Sequence, residues 1–270
     1  AFGLREIAGG EYTYFNNFKI FKQSYFNLLE GNDPYILYPK HHFDLFKYSS
    51  TFSLFFGALA YFPDWLGLVL WNGFNLFIYY FAVKSIPNIT TKQVYAVIGF
   101  CFFEMITSVQ NEQSNTLMLA LLIFTFTKLE NRQYIWAALC LALSFYTKLF
   151  GLVGFSLFLF YPHKIKFSLA TGLWMVFLFV IPLIVISWDQ LVFNYESWLR
   201  LLGEDHSGKV GISVMGILTT WFGAAFNQLY VAAVGVVLFC LPLVRVSQYQ
   251  FYRFRVLMIS SVLIWVVIFN

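Results

Sequence analysis

The 270-residue sequence is poor in charged residues: Asp, Glu, Lys and Arg together make up 11% of it, whereas a soluble domain carries about 25%. A water-soluble fold of this size needs more charge to cover its surface, so the soluble classes are excluded. Cysteine is also scarce, and Cys101, Cys140 and Cys240 lie far apart within apolar stretches. Because neither a disulfide framework nor a zinc site has this spacing, we predict three free, buried thiols.

The sequence is rich instead in apolar and aromatic side chains. Apolar residues make up 60% of it, and its 34 Phe, 17 Tyr and 8 Trp are too many for one soluble core. We therefore predict an integral membrane protein. The net charge of +4 is small, and the basic residues are scattered between apolar runs, whereas nucleic-acid-binding proteins cluster theirs. We expect no nucleic-acid partner.

Uncharged runs separated by charged or Pro-containing breaks predict the helices, because lipid requires every backbone group to be paired within the segment. The predicted fold class is all-α, a polytopic transmembrane helical bundle. Several runs have 12 to 15 residues, too few to cross about 30 Å of hydrocarbon, so some are expected to be broken or re-entrant helices. The predicted helices are 49–62, 65–83, 93–110, 113–127, 133–147, 149–161, 167–188, 211–222, 224–244 and 254–269.

Two regions are predicted: an outer, juxtamembrane loop over residues 1–48 and a transmembrane bundle over residues 49–270. We expect the bundle to be truncated at both ends. Within the loop, apolar residues recur at helical spacing, which is typical of an amphipathic helix that lies on the membrane, or alternatively of an ordinary surface helix. The apolar positions are Phe18, Phe21, Tyr25 and Leu28, and Gly31 and Pro34 end the helix.

Basic residues in short loops predict which side of the membrane each helix end faces, because they stay in the cytoplasm. By this rule the hinge at Pro63 is outside, so residues 1–48 share that side only if 49–62 does not span. The residues predicted to be cytoplasmic are Lys84, Lys92, Lys128, Arg132, Lys164, Lys166, Arg245, Arg253 and Arg255. Those left on the outer side are Glu112, Lys148 and 188–210.

Charged groups close to the bilayer are costly, so each one is a candidate for function. The sequence contains no Ser-His-Asp order, no Gly-rich phosphate loop and no paired-His motif of a zinc enzyme. The adjacent His41 and His42 would point about 100° apart on a helix, so we expect no metal site. The candidates are Asp33, Asp44, Lys47, Asp64, Glu104, Glu112, Lys148, Asp189, Glu196, His206 and Lys209.

Six short stretches of the sequence, by their order and spacing, are similar to motifs of a known family. They are residues 17–35 (NFKIFKQSYFNLLEGNDPY), 47–55 (KYSSTFSLF), 61–65 (YFPDW), 70–75 (LWNGFN), 113–117 (QSNTL) and 146–150 (YTKLF). Together they resemble the first outer loop and the following helices of glycosyltransferase family 87, a family of membrane-embedded C-type enzymes.

The resemblance implies an inverting transfer of a hexose, typically mannose, from a polyprenyl-phosphate carrier to a lipid or glycan acceptor. The reaction would take place at the outer face of the inner, or plasma, membrane of the cell, without a metal or another cofactor. The expected partners are therefore the lipid-linked donor, the acceptor and membrane lipids. An aromatic-rich apolar groove suits a polyprenyl tail, and cations near the interface suit the leaving phosphate.

Inversion requires one carboxylate to take the proton from the attacking hydroxyl. The resemblance puts the family's Asp at position 17, where this sequence has Asn17, and an amide cannot act as a base. We predict Asp44 as the first substitute, with Asp33 and then Glu11 after it. The residues predicted to bind substrate are Asn17, Lys47, Tyr48, Lys148, His206 and Lys209.

Each of these assignments has a structural alternative. Asp33 with Pro34 can form a turn, and Asp44 can pair with a neighbouring lysine. Lys148 can extend to the interface, and His206 can be a solvated loop residue. Two carboxylates, Glu104 and Glu112, bracket a helix end where hydrogen bonds to neighbouring helices are expected.

Two other functions use the same features. A transporter or flippase of lipid-linked sugars would need the apolar groove and the cations but no base. A catalytically silent relative that acts as a membrane scaffold would bind no donor at all. Substitution of the base separates the first alternative from an enzyme, because only an enzyme loses turnover.

Overall fold

The computed structural model describes residues 6–7, 10–11, 15–204, 214–223 and 227–268. Apart from a short antiparallel strand pair, β1 (Glu6–Ile7) and β2 (Gly10–Glu11), the described chain is helical, which confirms the all-α prediction. The α-helices are α1 Asn16–Glu30, α2 Ser50–Ala60, α3 Asp64–Lys84, α4 Thr91–Phe100, α5 Phe102–Gln110, α6 Asn115–Glu130, α7 Tyr134–Thr147, α8 Lys164–Val180, α9 Trp188–Glu204, α10 Val214–Phe222, α11 Gln228–Cys240 and α12 Tyr252–Ile268. Shorter 3₁₀ helices cover Leu149–Phe160, Ile181–Ile184, Leu241–Val244 and Val246–Gln248.

Among the described residues, two segments are long and apolar enough to cross a membrane: α3, and α8 together with the 3₁₀ turn that follows it, Lys164–Ile184. Helices α4 and α5 form a third candidate, bent by 56° at their junction. The helices α2 and α7 and the 3₁₀ segment Leu149–Phe160 are apolar but shorter. The predicted runs 93–110 and 149–161 are thus a bent pair and a 3₁₀ segment, as expected of broken helices.

Helix α1 forms where the apolar spacing predicts it and ends at Gly31, whose φ of 71° makes the left-handed C-cap. The prediction that its apolar face lies on the membrane is wrong. Phe18, Phe21 and Leu28 are fully buried in the protein, and the first two contact the ring of Phe56 in α2 at centroid distances of 5.5 and 5.3 Å. Protein, not lipid, covers this face.

The start of α3 lies at the same end of the molecule as α1. The carboxylate of Asp64 pairs with both Lys19 and Lys22 of α1, at 2.8 Å from the second. With 11 residues, α2 is about 16 Å long at 1.5 Å per residue, too short to span. The predicted helix 49–62 is therefore too short to span the membrane. This is the condition for residues 1–48 to lie on the same side as the hinge at Pro63.

The opposite end of the bundle brings together the end of α3, the end of α6 and the start of α12. The Tyr252 hydroxyl donates to the carbonyl oxygen of Pro87, and Arg255 Nε pairs with Glu130 Oε1 at 2.6 Å. The basic residues of these three helix ends thus share one end of the bundle, as the orientation pattern predicts. That this end faces the cytoplasm stays a prediction.

The main hydrophobic core lies between α6, α7, the 3₁₀ segment Leu149–Phe160 and α12. Leu122, Leu141, Leu157 and Val262 are fully buried within it. This core fixes the position of α7 relative to α6, and both helices carry residues of the site described below.

The three cysteines are free, as predicted, but the prediction that they are buried is wrong. Cys101 and Cys140 are half-buried and Cys240 is exposed on the protein surface. In a membrane protein an apolar run faces lipid as readily as protein, so apolar neighbours in sequence do not show burial in the protein interior.

Candidate functional site

Lys148 lies at the joint between α7 and the 3₁₀ segment Leu149–Phe160, where the backbone is extended. Its ammonium is 2.7 Å from Asn115 Oδ1 at the start of α6 and 5.9 Å from the ring centroid of Tyr48. Burial, and next the charge of Lys47, lower the pKa of Lys148 to about 8. Two cations are thus held near each other at a joint between apolar helices, an arrangement suited to a phosphate.

Gly151 fixes this joint. A Cβ on it would lie 2.5 Å from the carbonyl carbon of Ser144 and 2.7 Å from the nitrogen of Phe145, and neither backbone atom can rotate away. We expect Gly151→Ala to lower the melting temperature of the detergent-solubilised protein by several degrees, because overpacking costs about 1–3 kcal/mol. Gly73→Ala is the control, since an added Cβ there meets nothing within 4 Å. An unchanged melting temperature for Gly151→Ala would show that the joint adapts.

The start of α2 is held against α7 and α9, which positions Lys47. Ser49 caps α2: its hydroxyl accepts the N–H of Phe52 at 3.1 Å and donates to the carbonyl oxygen of Tyr146 at 2.6 Å. The indole of Trp198 in α9 donates to the carbonyl oxygen of Lys47 at 3.1 Å. These contacts join residues that are far apart in sequence, and they fix the backbone on both sides of Tyr48.

Tyr48 is the aromatic part of the site. Its ring stacks on Phe52 at a centroid distance of 4.6 Å and meets Phe21 edge-on at 4.8 Å. Ser114 Oγ donates to the Tyr48 hydroxyl at 3.2 Å. Burial raises the pKa of Tyr48 to about 12, so the group stays a neutral phenol whose ring face can contact a cation or a sugar.

Asn17 lies in the first turn of α1, against the turn that joins α5 to α6. Its side-chain amide donates to the carbonyl oxygen of Asn111 at 2.6 Å, and its backbone N–H lies beside the carboxylate of Glu112. Glu112 is 7% exposed, and burial raises its pKa to about 7. The site therefore includes a buried carboxylate that the sequence reasoning assigned to helix contacts.

The two predicted bases lie in the segment between α1 and α2. Asp33 accepts the N–H of Tyr35 at 2.9 Å and the hydroxyl of Ser197 in α9 at 2.6 Å, so it forms the turn considered as its alternative and links that turn to α9. Asp44 accepts the N–H of Leu45 at 2.8 Å. Its charge contributes to raising the pKa of the Tyr48 phenol, which puts Asp44 near the site.

Two predicted substrate-binding residues, His206 and Lys209, lie outside the described residues. Glu104 is exposed on α5 and does not take part in the contacts of the site. Within the described ranges, no three His, Cys, Asp or Glu side chains lie close enough together to hold a metal ion.

An apolar groove of about 680 Å³ lies between α10, α11 and α12. Leu218, Val234, Leu238 and Ile264 are among the residues that line it. A groove with this lining suits a hydrocarbon chain and offers little to a sugar.

Comparison with known proteins shows the family of the chain. The model of glycosyltransferase family 87 matches residues 46–268, more than four fifths of the chain. The chain belongs to glycosyltransferase family 87. It is a membrane glycosyltransferase, with a sugar donor and an acceptor as its substrates. No curated protein and no solved structure matches the chain significantly.

The matched range contains most of the site. Lys47, Tyr48, Glu112 and Lys148 lie inside it, whereas Asn17 and both predicted bases precede it. The family match therefore covers the cationic and aromatic part of the site and the turn between α5 and α6, and the roles of these residues stay predictions. The correspondence of Asn17 to the family's Asp stays a prediction.

Proposed function

We propose that this family 87 glycosyltransferase moves a hexose, with mannose as the first candidate, from a polyprenyl-phosphate carrier to a lipid or glycan acceptor, with inversion. The observation that carries the proposal is Lys148, a buried cation at a joint between apolar helices, with the charge of Lys47 near enough to lower its pKa further. A donor with an apolar tail and an anionic phosphate matches both properties of that joint. We place the reaction at the outer face of the membrane, following the orientation pattern of the basic residues.

In this proposal Lys47 and Lys148 bind the donor phosphate, and the Tyr48 ring contacts the sugar. The phosphodiester of the donor carries one negative charge, and the phosphate that leaves carries up to two. Cations beside it therefore stabilise the transition state more than the bound donor, which is the condition for catalysis. Asn17, His206 and Lys209 remain predicted substrate contacts, and Asp44 and Asp33 remain candidates for the base.

The test is donor consumption by the protein in nanodiscs, supplied with polyprenyl-phosphate mannose and a membrane-lipid extract and followed by mass spectrometry. We expect consumption of the lipid-linked sugar, a product of opposite anomeric configuration and no consumption of GDP-mannose, the matched control that lacks the polyprenyl chain. Tight donor binding without consumption under every acceptor tried would favour a carrier of lipid-linked sugars. Absence of donor binding would favour a silent scaffold.

A further inference from the structure

We propose that Glu112 is the general base of the transfer, the carboxylate that takes the proton from the acceptor hydroxyl. The inference rests on the proposed function, in which that hydroxyl attacks the anomeric carbon of a lipid-linked sugar. Such a transfer needs a carboxylate within reach of the acceptor hydroxyl. The turn that carries the buried Glu112 contacts α1 at Asn17 and the cationic part of the site at Tyr48 and Lys148.

The Glu112 carboxylate lies beside the start of α1. The N–H of Asn17, in the first turn of α1, has no partner within its own helix, and it acts on the pKa of the Glu112 carboxylate in the direction that favours the ionised form. The positive end of α1 thus points at this carboxylate and stabilises its ionised form. The side-chain amide of Asn17 holds the neighbouring Asn111 carbonyl at 2.6 Å, so the turn and the helix are joined here.

The backbone of Glu112 is fixed on both sides. Its carbonyl oxygen accepts the indole N–H of Trp71 in α3 at 2.8 Å, and its own N–H donates to the carbonyl oxygen of Val109 at 3.2 Å. A left-handed φ of 49° turns the chain sharply between α5 and α6 at this residue. A general base needs this kind of fixed position, because proton transfer requires hydrogen-bond geometry with the attacking hydroxyl.

The same turn also contacts the cationic part of the site. Ser114 donates to the Tyr48 hydroxyl at 3.2 Å, and Asn115 accepts the Lys148 ammonium at 2.7 Å. A donor whose phosphate binds Lys148 therefore lies beside the turn that carries Glu112. Asn115, which holds the Lys148 ammonium, follows Glu112 by three positions along the chain, so the proposed base and the phosphate site share one turn.

Burial sets the protonation of this carboxylate, raising the pKa of Glu112 to about 7, while the N–H of Asn17 acts in the opposite direction. From α1 the N–H of Asn17 acts on it, and the indole of Trp71 in α3 donates to the backbone carbonyl of the same residue. Neither Asn17 nor Trp71 titrates near neutral pH. The titratable Tyr48 and Lys148 lie beyond Ser114 and Asn115. A base works best when its pKa is near the working pH, and this one meets that condition.

The step balances without a further reactant. The acceptor oxygen forms a bond to the anomeric carbon, and its proton passes to the Glu112 carboxylate. The bond between the anomeric carbon and the phosphate oxygen breaks, and its electron pair leaves with the polyprenyl phosphate beside Lys47 and Lys148. Glu112 then releases its proton to solvent or to the departing phosphate.

The test compares Glu112→Gln with Glu104→Gln in nanodiscs with polyprenyl-phosphate mannose. Glutamine keeps the shape and an acceptor for the N–H of Asn17 but cannot take a proton. We expect Glu112→Gln to lower turnover at least about a hundredfold with donor affinity unchanged, and the control on the exposed face of α5 to keep full turnover. Full turnover by Glu112→Gln, with turnover lost in Asp44→Asn, would overturn the inference and assign the base to Asp44.

A pH profile of the unsubstituted protein keeps the inference testable if Glu112→Gln does not fold. We expect turnover to fall as the pH decreases through about 7, and Glu112→Asp to keep an acidic limb. A flat profile between about pH 5 and 9 would overturn the inference. A protein that transfers no sugar from any polyprenyl-phosphate donor would instead overturn the proposed function, so the two failures are distinguishable.

The stability of the variant gives an independent check of the environment of Glu112. Its pKa in the folded protein is raised above the ordinary value of 4.5. Its contribution to stability is therefore fully present below about pH 4.5 and is lost as the pH rises through about 7. At pH 8 we expect Glu112→Gln to melt at a temperature no lower than that of the unsubstituted protein, and a large decrease would overturn the assignment of a buried, costly carboxylate.

Discussion

Replacement of Lys148 by methionine is expected to lower sugar transfer by about two to three orders of magnitude, the usual loss when a group that stabilises transition-state charge is removed. Methionine keeps the length and the apolar stem of lysine, so the joint between α7 and the segment Leu149–Phe160 keeps its packing. The charge it removes is the one that Asn115 Oδ1 contacts at 2.7 Å. Turnover should decrease more than donor affinity, because negative charge on the phosphate increases only as it leaves.

Two further substitutions test whether the loss of activity is due to the charge of Lys148. Lys128→Met removes a lysine from the last turn of α6, at the opposite end of the bundle, and should leave transfer unchanged. Lys148→Arg keeps the charge and should retain more activity than methionine. For the unsubstituted protein we expect donor affinity to weaken as the pH rises through about 8, where Lys148 loses its proton. If Lys128→Met and Lys148→Met had equal activity, the assignment of Lys148 to the phosphate site would be wrong.

Helix positions were largely predictable from the sequence, whereas the partners of helix faces were not. The spacing of Phe18, Phe21 and Leu28 predicts α1, and Gly31 predicts its end. The same spacing does not tell whether protein or lipid covers the apolar face, because lipid tails are as apolar as leucine side chains. The sequence analysis predicted that this face of α1 lies on lipid, but it packs on α2.

The site was predictable where it depends on residue type and not where it depends on distant contacts. Lysine between apolar runs is rare enough to single out Lys148 from sequence. Glu112 was among the charged candidates, but its contact with Asn17 joins residues 95 positions apart and has no local pattern. The polar region 188–210 was likewise not predicted as a helix, although α9 supplies Trp198 to the Lys47 carbonyl.

A second charged cluster lies at the end of the bundle opposite the site. Arg255 donates from Nε and Nη2 to the two oxygens of Glu130 at 2.6 and 2.9 Å, and the Tyr161 hydroxyl donates to Glu130 Oε1 at 2.5 Å. The side chains of Arg255 and Glu130 are 15% and 9% exposed. This bidentate pair joins α12 to α6, and protein covers most of both side chains.

Arg255→Met is therefore expected to destabilise the fold by about 3–5 kcal/mol, because it leaves a buried carboxylate without its counter-charge. The measurement is thermal unfolding of the detergent-solubilised protein, followed by tryptophan fluorescence and size-exclusion chromatography. Arg253→Met, two residues earlier on the exposed face of α12, is the matched control and should change the melting temperature little. The double variant Arg255→Met with Glu130→Gln should recover part of the loss, since the orphaned charge is gone. A double variant that melts lower than Arg255→Met alone would show that Glu130 stabilises the fold through Tyr161 and not through the arginine.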